Sequence, residues 1–202
     1  MVKVLDCLTQ DHDPGLVALA VVICMVASVT AFTLYAHAAG ARGRGRAGWL
    51  VATALVTGGG IWATHFIAML AYDPKVPVGF NLAETCLSIA MAIGLAGVGF
   101  AVASVARLAQ SPLRWFGGAI VGLGIGAMHY TGMAALQVPA TVEYDRTLVA
   151  WSVALGMALS ALAMRRFRVG GGLAACLEHR LQVVAGIGLL LFVGMGALRF
   201  EE

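Results

Sequence analysis

Charge is what this sequence has least of. Asp, Glu, Lys and Arg make up 11% of its 202 residues, where a soluble domain ordinarily carries about 25%. A chain so poor in charge cannot clothe its surface for water, which excludes a soluble enzyme. Cysteine is scarce and scattered: Cys7, Cys24, Cys86 and Cys176 form no C-x-x-C pair and no disulfide framework. Each reads as a small buried residue or a free thiol. There is no nucleophile–base pair, no glycine-rich phosphate loop after a strand and no carboxylate pair inside a bundle, so catalysis is not expected. The arginines lie in short loops rather than in an extended patch, which speaks against nucleic acid as a partner.

Apolar residues fill the space that charge leaves, at 60% of the chain. They gather in six runs, approximately Gly15–His37, Gly48–Leu70, Leu82–Ala106, Arg114–Leu136, Thr147–Met164 and Leu181–Leu198. A helix crosses the hydrocarbon core with roughly 20 such residues, and only the fifth run is marginal. The fold class expected is therefore all-α and integral to the membrane, with six transmembrane helices and the lipid bilayer as their surroundings. The first run is not a cleavable signal peptide: it has full spanning length and follows an acidic segment, Asp6, Asp11 and Asp13. The connections are short, so residues 1–202 are expected to form a single membrane domain with no soluble output domain.

Orientation follows from the basic residues, which collect on the cytoplasmic side. Arg42, Arg44 and Arg46, then Arg107 and Arg114, then Arg165, Arg166, Arg168 and Arg180 occupy alternate loops and account for nine of the 13. Both termini are thus expected outside, in the periplasm if the membrane is a bacterial inner membrane. The second, fourth and sixth runs then finish at the outer face.

Those three outer ends are alike. The second run closes on Trp62-Ala63-Thr64-His65-Phe66-Ile67-Ala68-Met69-Leu70, and the fourth on Met128-His129-Tyr130-Thr131-Gly132-Met133-Ala134-Ala135-Leu136. Both contain His-aromatic-x-x-Met, offset by 64 residues. The sixth run keeps the methionine as Met195 but has Leu191 at the histidine position. The symmetry predicts three repeated helical hairpins. Residues i and i+4 share a helix face, so His65 with Met69, and His129 with Met133, each set an imidazole beside a thioether. Gly58, Gly122 and Gly126 stand on the same faces, and small residues let membrane helices approach. These faces are expected to point into the bundle.

A lone Met or His in such a helix is ordinarily packing or a local hydrogen bond. Two histidines in equivalent frames at one depth weigh against that, since ionisable groups inside a membrane mark functional sites. Imidazole with thioether suits a soft or borderline metal, copper above all. Two imidazoles at equal depth would equally suit the axial pair of a b-type haem. The residues leave both open.

Met128-His129-Tyr130-Thr131, followed by Gly132-Met133-Ala134-Ala135, resembles the signature for which the MHYT domain family is named. Trp62-x-x-His65-Phe66-x-x-Met69-Leu70 resembles that family's first copy, and Asp13-Pro14-Gly15-Leu16-Val17-Ala18-Leu19 onward to Ala27-Ser28 its opening segment. The likeness covers essentially the whole chain. It implies a bacterial membrane sensor domain in signal transduction, with copper near the outer face held by His65, Met69, His129, Met133 and Met195. It further implies sensing of a diatomic gas (oxygen, carbon monoxide or nitric oxide) or of redox state. The implied partner is a cytoplasmic output module, such as a cyclic-di-GMP synthase or phosphodiesterase, a kinase or a transcription-factor domain. Leu191 departs from the pattern and argues against a three-histidine site. The chain also ends at Glu202, outside by this topology, where the family adds a further helix; a stand-alone or truncated sensor, or contact with another membrane protein, is then expected.

Other outer-side residues are candidates to complete the site. His12 precedes the first run, and its plain reading is a solvated tail residue. Glu84 and Cys86 open the third run, where Glu84 equally fits as a charge favoured at a helix start. Tyr130 and Trp62 fit an interfacial aromatic belt, with a ligand hydrogen bond as the alternative for Tyr130. Thr64 and Thr131 are expected to bond back to their own helices. His37 and His179 lie at the other face and read as surface residues. A metal sensor is the first reading, a haem b electron carrier with His65 and His129 as axial ligands the second. A small copper transporter comes third, because transport sites sit near the midplane.

Overall fold

In a water-soluble bundle the large apolar side chains face inward; here many of them face outward as well. Helix α1 (Pro14–Gly40) buries Ala20, Cys24, Ser28, Ala31, Phe32, Tyr35 and Ala38, yet exposes Leu19, Val21, Val22, Met25 and Val26. A helix apolar on every side belongs in a core or a membrane, and with so many large apolar chains on the outside the surrounding solvent is lipid. The computed structural model describes residues 13–71, 79–105, 111–137, 141–167 and 198–201. Large apolar side chains likewise face outward in α2 (Gly43–Ala71), α3 (Leu82–Val105), α4 (Pro112–Ala134) and α5 (Arg146–Arg166), where Leu55, Leu87, Phe116 and Trp151 are exposed.

Helices α1, α2, α3 and α5 are each long and apolar enough to cross a membrane. The protein is a multi-pass membrane protein built of helices. These five helices occupy the first five apolar runs, and the marginal fifth run is a full 21-residue helix. The sixth run, with Leu191 and Met195, lies outside the described residues apart from Leu198.

Four of the five helix starts are capped by a side chain. The Asp13 carboxylate accepts from the Gly15 and Leu16 amides ahead of α1, and Asp145 does the same for Thr147 and Leu148 ahead of α5. Asn81 caps α3 and Ser111 caps α4. These side chains satisfy amides that a helix start leaves without partners.

The helices pack in chain order, α1 on α2, α2 on α3, α3 on α4 and α4 on α5, with α2 also touching α4. Glycine sets the spacing around α4. A Cβ on Gly122 would lie 2.5 Å from the Gly156 carbonyl oxygen, and one on Gly118 would lie 2.5 Å from that of Ser160, so this face meets α5 backbone to backbone. Gly124 lies against Leu95 of α3 on another face. On α2, a Cβ at Gly58 would meet Ile93 of α3 at 2.5 Å. The glycines predicted to close helix contacts do so, and they also dilute the apolar character of α4.

Two short antiparallel ladders modify the all-α expectation. Gly79–Phe80 (β1) pairs with Leu136–Gln137 (β2), and Thr141–Tyr144 (β3) pairs with Leu198–Glu201 (β4). Leu136 and Leu198, expected to close helices, lie in these strands instead. The reason is backbone hydrogen bonding: amides and carbonyls freed where helices stop need partners. The Asn81 amide accordingly donates to the Ala135 carbonyl at 2.8 Å, and that of Asp13 to Ala71 at 2.8 Å.

The opposite end carries the arginines. Arg46 donates to the carbonyl and hydroxyl of Ser104, and Arg114 donates to the Phe167 carbonyl at 2.7 Å. Both reach carbonyls at or beyond the C-terminal ends of α3 and α5, where a cation is favoured. Phe32, Tyr35, Phe100 and Phe167 form the aromatic core just inside. His37 is exposed and stacks on Trp49 at 5.0 Å, the surface placement expected of it.

Candidate metal centre

The helical period carries Thr64, His65 and Met69 to the inner side of α2, and Met128, His129, Gly132 and Met133 to that of α4; all are buried. Helices α2 and α4 run the same way and touch, so their equivalent ends meet. His65 and His129 come into direct contact there, with their Nδ1 atoms 3.2 Å apart and rings crossed at 76°. They are 2% and 0% exposed. At 1.5 Å per residue they sit roughly 8–9 Å below their helix ends.

One proton must lie between the two Nδ1 atoms for that bond to form. In the neutral pair one ring therefore carries a proton at Nε2 and the other a lone pair. Neither Nε2 atom has a hydrogen-bond partner, although both are buried. The indole Nε1 of Trp62, one turn before His65, is also buried and unpartnered. Buried polar atoms left so are rare and call for an explanation.

Glycine makes the contact possible. A Cβ at Gly132 would stand 2.6 Å from His65 Nε2, so any other residue there would displace the ring. Phe66 flanks His65 edge-on at 5.2 Å, and Phe80 of β1 packs on Phe66 at 5.4 Å. The β1–β2 ladder thus closes over the histidine end.

The outer candidates separate. Tyr130 lies edge-on to His129, ring centres 4.9 Å apart, but its hydroxyl bonds Ser152 of α5 at 2.5 Å. Glu84 is half-buried in the first turn of α3 and Cys86 is exposed; no bond of either side chain to the pair is present. His12 and Met195 lie outside the described residues. Thr64 bonds back to the Gly60 carbonyl, as expected, whereas Thr131 points its hydroxyl at Met91 Sδ of α3 at 3.6 Å. Gly132, Ser152 and Met91 were not foreseen as neighbours of the site. Only Gly132 had a signal, being the small residue one turn beyond His129.

The donor set fits a soft ion. Among the described residues no group of three His, Cys, Asp or Glu side chains gathers, and the buried Met69 and Met133 share the helix faces of the two imidazoles.

A multi-pass helical membrane domain with two repeated helix ends converging on a buried histidine pair is the class these features define. The sequence matches the MHYT family, described as the N-terminal repeat of bacterial signalling proteins, over residues 58–118 and again over 122–177. The chain belongs to that family. The two matches start 64 residues apart, the offset that separates His65 from His129. It is 40% identical over 205 residues to an uncharacterized signaling protein of Caulobacter vibrioides, covering 97% of this chain and 24% of that protein. It is 31% identical to the bifunctional diguanylate cyclase/cyclic di-GMP phosphodiesterase MucR of Pseudomonas aeruginosa, covering 96% of this chain and 29% of MucR. The cyclic di-GMP phosphodiesterase NbdA of the same organism is 35% identical, with 93% of this chain and 24% of NbdA covered. The chain spans about a quarter of the length of these relatives. No solved structure matches it.

Proposed function

We propose that this chain is the sensing domain of a signalling system and binds copper at the histidine pair, on the periplasmic side of a bacterial inner membrane. The observation that carries the reading is the direct contact of His65 and His129 with buried, unpartnered nitrogens. His65 and His129 would hold the ion, with the buried thioethers of Met69 and Met133 as soft supplementary donors. Copper, when bound, would supply a redox-active centre able to take a small ligand such as a diatomic gas. The chain's own part is positional. Gly132 seats His65, Tyr130 and Phe66 wall the rings, and the β1–β2 ladder shields that end.

The contact favours a single ion over haem, whose two axial imidazoles stand on opposite faces of a macrocycle. Orientation is supported by Arg42, Arg44, Arg46, Arg114, Arg165 and Arg166 at one end, against Asp13, Glu84 and Asp145 at the other. The relatives' names place cyclic di-GMP enzymes beside domains of this kind, and an output module of that class is the partner proposed for the signal.

Metal analysis and an optical spectrum of detergent-purified protein test the proposal, with His65→Ala, His129→Ala and His37→Ala alongside. Near-stoichiometric copper without a Soret band is expected, lost in the first two variants and kept in the third. A Soret band would replace copper with haem, and copper retained in both site variants would move the site elsewhere.

A further inference from the structure

Below the histidine pair, residues of all five helices line a partly open cavity of about 50 Å³. Its wall includes Ser28 of α1, Thr57 and Ile61 of α2, Phe100 of α3, Ile125 of α4 and Met164 of α5. The cause lies in the sequence: Ala31, Gly60 and Ala163 line the same space and are too small to fill it.

Position ties this cavity to the pair. Ile61 and Ile125 lie four residues before His65 and His129, hence one turn below on the same faces. They pack in one cluster with Cys24 and Met128. The two isoleucines therefore form the partition between the cavity and the imidazoles.

The wall also selects what it can hold. None of its described lining residues is charged, so an ion would find no counter-charge. Of the buried side-chain atoms without a hydrogen-bond partner, only Thr57 Oγ1 belongs to it among the described residues. The hydroxyls of Ser28 and Ser160 line it as well, but most of the wall is apolar, with Ile61, Phe100, Ile125 and Met164. A single water needs about 10–15 Å³ and an apolar site of about 150 Å³ takes benzene, so this space matches a guest of two or three atoms.

We propose that the cavity is a holding site for a small, uncharged, apolar molecule, supplied by the bilayer hydrocarbon and kept one helical turn from the histidine pair. The proposal deepens the sensing reading by naming the chemistry of the sensed ligand, and rests on that reading for its purpose. Occupancy of the cavity requires no metal and is tested separately.

Xenon is the probe, an apolar atom of suitable size, followed by 129Xe NMR on the protein in nanodiscs against empty nanodiscs. A saturable protein-bound xenon population is expected. It should fall at least tenfold in Ala163→Leu, which fills the space, and by less in Ala163→Val. Ala31→Leu fills it from another helix and keeps the test valid should the first variant fold poorly. The filled variants should keep their copper, which separates this site from the histidine pair. Absence of saturable xenon in the unaltered protein would overturn the proposal, as would xenon uptake unchanged in folded filled variants. A protein that binds xenon but no copper would overturn the metal reading and leave the cavity site standing.

Discussion

The two ends of this bundle solve the same problem differently. At the arginine end, Arg46 and Arg114 turn inward onto helix-terminal carbonyls, and Arg165 lies 4.9 Å over the Trp115 ring. Charge there is met by carbonyl dipoles and an aromatic face, with Arg114 Nε left without a partner. At the histidine end the buried groups are only half met. Of five buried side-chain atoms without partners among the described residues, Trp62 Nε1, His65 Nε2 and His129 Nε2 belong to it. The arginine end is built for anchoring, whereas the other keeps bonding capacity in reserve.

The largest difference between the two ends is expected from one glycine at each. Gly132→Leu drives a side chain into His65, so copper should fall to background. Gly48→Leu, where nothing lies within 4 Å, should change neither copper content nor thermal stability. Metal analysis and circular dichroism melting on both variants read the contrast, and copper retained in Gly132→Leu would break it.

Helix spacing gives a smaller effect. Gly122→Val must push α5 away from α4 and should cost about 1–3 kcal/mol, the usual range for overpacking. Gly59→Val, with open space around it, serves as control in the same melt. Smaller again is Tyr130→Phe. Interhelical hydrogen bonds in membranes average about 0.6 kcal/mol, so loss of the Ser152 bond should lower the melting temperature slightly and leave copper in place. A loss of copper in this variant would make the hydroxyl part of the site.

Much of this was legible in the sequence. The five apolar runs within the described residues are helices, because spanning length and all-round apolarity leave the chain no alternative in lipid. The duplicated His-aromatic-x-x-Met pattern placed His65 and His129 at one depth, since equal frames on parallel helices end level. Their direct contact was not legible, because the frame fixes height along a helix but not the distance between two helices. That distance depends on which glycines face which neighbour, and α4 has glycines on several faces. The pairing of Tyr130 with Ser152 was hidden for the same reason. The strand at Leu136 was missed because that residue continues the apolar pattern past the point where α4 stops.

The hydrogen bond between the histidines has one more consequence. A repeated unit brings the same residue to the same place twice, yet a single proton between two Nδ1 atoms belongs to one ring at a time. Duplication therefore yields unlike twins: one imidazole is left a base at its far nitrogen and the other an acid. The pair thus has a handedness that neither copy has alone, and moving one proton reverses it.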